Sequence, residues 1–573
     1  MTYRAPLEEF RFLFDHVVGL DQVTRTPLFA DAAGDMSNAI VSEAARMCEE
    51  VLAPLQRAGD LHPAVLENCM VRTSPGFAQG YRAIAEGGWI GMSASVESGG
   101  MGLPMTLTTA VNEMMGSACL SLQLNPLMSQ GQIEALENHA SDALKALYLP
   151  KLISGEWCGT MNLTEPQAGS DVGALRSTAV ANGDGTYAVT GQKIFISWGD
   201  NDFTENVCHL VLARLPGAAA GTRGISLFMV PKLIPDENGD PGVHNSLKVV
   251  SLEHKLGLHG SPTAVMQYDG ATGWMVGQEN GGMRAMFTMM NNARLGVGVQ
   301  GLCIAEAAFQ TALAYARERR QGREPIENGT GTIIDHADVR RMLLTMKAQT
   351  FAARAIALSC AVAIDMARAT GSEDWQARAA LLTPINKAYG TDTGIEVAST
   401  GIQVHGGMGY IEETGAAQYL RDVRVTAIYE GTNGIQAMDL VGRKMMDGGE
   451  AAFRLLEEIQ QNAEAARATL PKIAEAVWSA AESLREATEW MVAQDDLNDR
   501  FAGAVPYQSA FARVLGADMH LRAAMAEGGT GKRTDLARFF VTRLLPEHAA
   551  LLSHARAGAA GLYAISADDM VDL

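Results

Sequence analysis

The chain has 573 residues, 47% of them hydrophobic and 19% charged, and a formal net charge of −20. That length holds about three or four domains around a large core, while the acidic excess repels nucleic-acid phosphates and anionic membranes, so neither is expected as a partner. No uninterrupted apolar run reaches the roughly 18 residues that cross a bilayer, the start Met1-Thr-Tyr-Arg-Ala-Pro-Leu has no apolar signal core, and the seven cysteines include no C-x-x-C pair, so a cytoplasmic protein with reduced thiols and no metal site is expected.

In chain order, residues 1–34 read as a short extension with a helix over 6–18 and then a loop. Residues 35–159 read as helical, with apolar positions at helical spacing over 39–55 and 107–122. Between those runs, Gly87-Gly-Trp-Ile-Gly and Gly99-Gly-Met-Gly-Leu-Pro104 are loop punctuation. From 160 to 280 the pattern turns to short β-rich runs over 187–197, 208–214 and 224–231, separated by Gly, Asn or Asp. That spacing predicts a small antiparallel barrel or sandwich. Helical patterning returns over 281–445, in long runs at 283–320 and 335–369. Residues 446–573 form a further, acidic helical module. The methionines, among them Met286, Met289 and Met290, read as adaptable core filler. The fold class is therefore mainly α with a middle β domain.

Gly296-Val-Gly-Val-Gln-Gly301 fits G-x-G-x-x-G, but a dinucleotide fingerprint follows a strand and opens a helix. Here the preceding residues are helical in pattern, so the glycines are expected to serve close helix packing. His405 stands alone among glycines and reads as structural.

The stretch Arg421-Asp-Val-Arg-Val-Thr-Ala-Ile-Tyr-Glu-Gly-Thr-Asn-Gly-Ile-Gln436 places one carboxylate, Glu430, in a Gly-flanked turn. Thr432 or Asn433 can cap the amphipathic run that follows. Taken alone, the pattern is met more often by an acidic residue that merely suits a helix dipole. A second segment far upstream, Leu163-Thr-Glu-Pro-Gln-Ala-Gly-Ser-Asp171, reverses that balance.

In this order, the two segments resemble the acyl-CoA dehydrogenase family, over about residues 35–445. The resemblance implies an N-terminal helical domain, a middle β domain and a C-terminal helical bundle, with FAD as cofactor, an acyl-CoA as substrate and subunit-crossing contacts in at least a dimer. It implies that Glu430 removes the α-proton of the thioester while the β-hydrogen leaves as hydride to the flavin, and that the Glu430 backbone N–H bonds the thioester carbonyl. Burial should raise the carboxyl toward the working range. Some family members carry the base just before the arginine that matches Arg294. Here that residue is Ala293, which favours Glu430. Tyr429, Gly431, Ser170 and Arg294 match substrate-side positions. Arg294 could equally make a helix-surface salt bridge.

Met161, Leu163, Thr164 and Ser170 match residues around the flavin or its phosphates, and Phe195 and Ser197 match an aromatic–hydroxyl pair. Without the resemblance, Phe195 would read as a strand residue pointing into a core. Arg319, Gln403, Gly406 and Gly407 match residues that reach the FAD of a neighbouring subunit, and Thr432 matches a threonine that contacts FAD. Gln321-Gly322 replaces the usual Phe-Gly beside Arg319.

Spacing and tail resemble the branch acting on 3-methylmercaptopropionyl-CoA, with 3-methylthioacryloyl-CoA as the expected product. A short- or medium-chain fatty acyl-CoA is the alternative substrate. Electron-transfer flavoprotein is the expected acceptor. The alternatives are an oxidase of similar architecture that uses O₂, a desulfinase, whose relatives lose the Glu present here, and a nucleic-acid-binding homologue, disfavoured by the acidic tail.

Overall fold

The computed structural model describes residues 3–323 and 326–572. Met1, Thr2, Glu324, Pro325 and Leu573, which include the outer edges of the first and last sequence segments, lie outside the described residues. The chain divides into two compact units, one formed by Ile40–Ala293 with residues 3–5, the other by Pro6–Ala39 and Arg294–Leu573.

In the Ile40–Ala293 unit, the helix expected over 39–55 is found as Asp35–Met47, a wide turn Cys48–Leu52 and a short helix Leu55–Leu61. Pro54 opens that last piece, because a proline suits a helix start and interrupts a helix interior. The segment read as wholly helical also contains a hairpin of β1 (Val65–Glu67) and β2 (Met70–Arg72). Its tip residues Asn68 and Cys69 have φ of 51° and 62°, the left-handed pair that a two-residue hairpin turn requires. The run noted over 107–122 extends to a helix Met105–His139.

The β domain comprises β3 (Trp157–Asn162), β4 (Thr178–Ala181), β5 (Tyr187–Ser197), β6 (Asn206–Arg214), β7 (Ile225–Pro231), the small pair β8 (Leu233–Pro235) and β9 (Pro241–His244), β10 (Leu247–Leu252) and β11 (Thr263–Val276). A ring closes through β11–β5, β5–β4, a single β4–β6 pairing at Thr178–Arg214, β6–β7 and β7–β11. The expected barrel is thus present, but it is not wholly antiparallel. β3 runs parallel to β6 from Trp157–Asn206 to Asn162–Val211. Val189, Val211, Phe228, Val230, Met266 and Tyr268 fill its interior.

In the other unit, the first helix is Leu7–His16, and short helical turns Leu20–Thr24 and Pro27–Ala32 replace the expected loop. Glu9 joins that first helix to the bundle. Its carboxylate pairs with Lys347 at 2.8 Å and with buried Arg354, whose other nitrogen reaches Glu306 at 2.6 Å. Long helices Gly282–Glu318, Ala337–Thr370 and Glu373–His405 follow. Gly298 and Gly301 of the dinucleotide-like motif pack helices, as expected. A Cβ on Gly301 would lie 2.2 Å from the Gly390 carbonyl oxygen, and one on Gly394 would lie 2.5 Å from that of Gly301. Glu373–His405 therefore crosses its neighbour almost backbone to backbone.

Two helices, Gly282–Glu318 and Ala337–Thr370, are long and apolar enough by composition to cross a bilayer. Their apolar windows are 72% and 83% buried within the protein, which makes them core helices. The last module contains Glu450–Ala466, Pro471–Ala493, Leu497–Ala526, Lys532–Arg543 and Glu547–Ala555. Leu497–Ala526 docks on the bundle through Gln508 Nε2, which donates to the Pro384 carbonyl at 2.9 Å, and through His520, 3.0 Å from the Ala348 carbonyl.

Candidate active site

Glu430 lies in the turn between the short helical segment Arg424–Ala427 and the helix Asn433–Asp439. Its φ is +55°, and that of Gly431 is +81°. A non-glycine residue in this region is strained and persists only where its surroundings hold it. They do so here. Gln436 Nε2 donates to the Glu430 carbonyl at 3.0 Å, and Thr432 Oγ1 accepts from the Ile435 N–H at 3.2 Å as the helix cap. Thr432, rather than Asn433, is thus the capping residue. Among the described residues, the Glu430 N–H has no acceptor, so a donor stands open at the turn. Tyr429 donates its hydroxyl to Gln300 Oε1, which fixes the ring beside the turn.

Removal from water pushes the Glu430 carboxyl up to about 7, and the nearby charges of Arg294 and Lys387 only partly offset this. Arg294 is 6% exposed, so the surface-salt-bridge reading is overturned. Its guanidinium lies 3.5 Å from Asp439 Oδ2, and Asp439 is held in turn by Arg443. Lys387 is fully buried, and its ammonium donates to Asn433 Oδ1 at 2.9 Å. A base near neutrality, an open N–H donor and two buried cations suit abstraction of a carbon-bound proton next to a carbonyl.

The second group of expected residues lies around the end of β3 and a bulge in β5. Pairing with β11 passes from Ile196–Ala264 to Lys193–Met266. Two residues of β5, Ile194 and Phe195, therefore face one of β11, and Phe195 takes φ +61°. A bulge of this kind re-aims a side chain. Phe195 is 59% exposed, so it does not enter the core, as it would if read without the resemblance. The Ile194 N–H reaches the Thr164 carbonyl at 2.9 Å, bringing the two motif segments together. Met161, Thr164 and Ser197 are half-exposed, Ser170 is exposed and Leu163 is buried.

The loop that carries these residues is pinned by Glu165. Its carboxylate accepts from Lys193 Nζ at 2.8 Å, Ser177 Oγ at 2.6 Å, the Ser177 N–H at 3.1 Å and the Arg176 N–H at 2.7 Å. Burial opposes its ionisation, but the Lys193 charge and these donors outweigh that and pull the carboxyl down to about 2. An exposed aromatic ring on a pinned bulge, with half-exposed Thr164 and Ser197, fits a flat, polar-edged cofactor.

In the other unit, Arg319 is exposed and its guanidinium makes no ion pair among the described residues. Gln403, Gly406 and Gly407 are exposed, and a Cβ on either glycine would meet nothing within 4 Å. His405 is buried. It bonds the Gly401 carbonyl at 2.7 Å and stacks on Tyr315 with centroids 4.4 Å apart.

Models of the acyl-CoA dehydrogenase N-terminal, middle and C-terminal domains match residues 35–156, 160–271 and 280–446, and an acetyl-CoA dehydrogenase C-terminal-like model matches 455–566. The chain belongs to the acyl-CoA dehydrogenase family. It is 47% identical over 521 residues to 3-methylmercaptopropionyl-CoA dehydrogenase of Ruegeria pomeroyi, covering 88% of each chain. It is 33% identical to a butyryl-CoA dehydrogenase of Syntrophomonas wolfei, covering 80% of this chain and 78% of that one. Caenorhabditis elegans ACDH-11 in complex with C11-CoA shares the fold with a TM-score of 0.80 at 22% identity, over 95% of this chain and 92% of that one. An acyl-CoA dehydrogenase complexed with FAD from Bacillus anthracis does so with a TM-score of 0.76 at 21% identity, over 98% and 93%.

An acyl-CoA dehydrogenase of this family uses FAD, and exposed Phe195 with half-exposed Thr164 and Ser197 fits that cofactor. Sequence reasoning passed over Lys387, Asn433 as a ligand of Lys387, Gln436, Asp439 and the Glu165–Lys193 pair. A lysine within Leu381-Leu-Thr-Pro-Ile-Asn-Lys-Ala-Tyr389 was the available signal, because a charge on an otherwise apolar helical run is dear to bury.

Proposed function

We propose that this FAD-dependent acyl-CoA dehydrogenase converts 3-methylmercaptopropionyl-CoA to 3-methylthioacryloyl-CoA. The observation that carries this reading is Glu430, with left-handed backbone and a carboxyl raised to about 7, in a chain whose relative at 47% identity bears that substrate's name. Glu430 takes the α-proton. The N–H of Glu430 donates to the thioester carbonyl and stabilises the negative charge that develops there. Arg294 and Lys387 keep part of the carboxyl ionised, and Tyr429 and Gly431 border the thioester. When bound, FAD supplies acceptance of the β-hydride.

Met161, Leu163, Thr164, Phe195 and Ser197 are assigned to the flavin, Ser170 to the CoA and FAD phosphates, and the O–H of Thr432 to the cofactor. Arg319, Gln403, Gly406 and Gly407 are assigned to the FAD of a second subunit, so a homodimer is the smallest complete enzyme. A guanidinium fork suits a diphosphate. Electron-transfer flavoprotein is the proposed acceptor.

Anaerobic titration of the FAD-loaded protein with 3-methylmercaptopropionyl-CoA and butyryl- to octanoyl-CoA tests this reading. Flavin absorbance should bleach with the thioether substrate in wild type and not in Glu430→Gln. Equal bleaching in the variant would remove Glu430 as the base. Bleaching only by longer chains would replace the substrate. Rapid oxygen consumption during turnover would make the protein an oxidase.

A further inference from the structure

Asn433 ties the Glu430 turn to the helix Glu373–His405. Its Oδ1 accepts from Lys387 Nζ at 2.9 Å, and its Nδ2 donates to Asp392 Oδ1 at 2.7 Å and Thr391 Oγ1 at 3.0 Å. Lys387 is fully buried. Among the described residues Asn433 Oδ1 is its one side-chain acceptor, and no carboxylate forms an ion pair with it. A buried ammonium held only by a neutral amide costs stability that an apolar side chain would not. Such a cost is tolerated where the charge acts on a neighbour.

The neighbour is Glu430. Lys387 and Arg294 are the cations that favour its ionised form. Arg294 is already engaged by Asp439, which also holds Arg443, with Lys444 close to both. Lys387 feels Asp392, Glu430 and Arg294, and Asp392 lies near Glu396 and Arg424. Arg294, held 3.5 Å from Asp439, acts on Glu430 more strongly, and Lys387, whose charge is shared between Asp392 and Glu430, adds to it from the other helix.

We propose that Lys387 and Asn433 are positioning residues for the dehydrogenation: Asn433 anchors the Lys387 ammonium at the turn, and that charge joins the charge of Arg294 in setting how tightly Glu430 holds the proton it removes. This rests on Glu430 being the base. Burial brings Lys387 itself down to about 8, so the pair has a shared working window. The ammonium supports the Glu430 carboxylate through neutrality and withdraws that support as it deprotonates.

The test compares kcat–pH profiles of FAD-loaded wild type, Lys387→Met, Lys387→Arg and Asn433→Ala, with 3-methylmercaptopropionyl-CoA and an artificial electron acceptor. Lys387→Met should move the acid-limb midpoint upward by about one pH unit, with KM nearly unchanged, and Lys387→Arg should restore it. The infrared band of the protonated carboxyl that is lost in Glu430→Gln should titrate with the same shift, without turnover. If Lys387→Met does not fold, Asn433→Ala decides. It should lower kcat severalfold and shift the midpoint upward by a smaller amount.

Midpoints and kcat superimposable on wild type in every folded variant would overturn the positioning role while leaving Glu430 as base. Loss of the ascending limb's dependence on Glu430 would instead overturn the base assignment.

Discussion

Gln436 Nε2 donates to the main-chain carbonyl of Glu430 at 3.0 Å from a fully buried side chain. The first turn of a helix thus reaches back to hold the residue that precedes it, and Glu430 keeps its left-handed φ of +55°. Without that bond the turn can relax toward ordinary backbone conformations, which cost of order 1–3 kcal/mol less.

Gln436→Leu keeps the volume and removes the donor. The expected result is a fall in kcat of about 10- to 100-fold, the scale of a misplaced catalytic group. KM should change little, and the loss of stability should stay near that of one hydrogen bond, about 1 kcal/mol. Steady-state kinetics beside a thermal melt checks this. A variant with wild-type kcat would mean that the turn holds itself.

The Glu430 carboxyl, raised to about 7 from an ordinary 4.5, makes two pH effects. Only the ionised form accepts a proton, so kcat should climb about tenfold per pH unit below 7 and level off above it. Stability runs the other way. The folded state holds the proton more tightly than the unfolded chain, so this group's stabilisation is complete below pH 4.5 and is lost as pH rises through 7. Glu430→Gln cannot ionise. It should melt above wild type at pH 8, with the gap closing toward pH 4.5, as differential scanning calorimetry across pH would show.

Lys193 is fully buried against Glu165, itself 4% exposed. Replacing Lys193 with Met strands a buried carboxylate, at an expected cost of about 3–5 kcal/mol. The residues around Thr164 should loosen with it, since Lys193 also donates to the Leu163 carbonyl at 3.1 Å. Denaturant unfolding and amide exchange over 163–177 measure both effects. A loss under about 1 kcal/mol would show that water replaces the pair at no cost, against the burial of both groups.

Gly301→Ala places a Cβ 2.2 Å from the Gly390 carbonyl oxygen. Backbone must move apart, and a loss of about 1–3 kcal/mol or more is expected. Gly407→Ala, in open space, should stay within about 0.5 kcal/mol of wild type. A melt of the two variants side by side separates helix packing from mere glycine content.

Much of this protein is written in local pattern. The long helices, a cap at Thr432 or Asn433 and the turn that carries Glu430 follow from patterns among residues a few places apart, and a single chain displays those directly. The hairpin at 65–72 and the parallel β3–β6 pair did not, because neither carries a pattern distinct from its surroundings. Phe195 has the chemistry of a core strand residue, and only the bulge against β11 turns it outward. Nothing within the Tyr-Glu-Gly-Thr turn states that Glu430 titrates near 7. That value sums a water-poor setting with charges on Arg294 and Lys387, which only folding brings near. Sequence by itself determined most of the long elements and singled out Glu430 as the candidate base. Tertiary structure alone decided its proton affinity and the orientation of its neighbours, since field and burial are properties of where a group sits among remote parts of the chain.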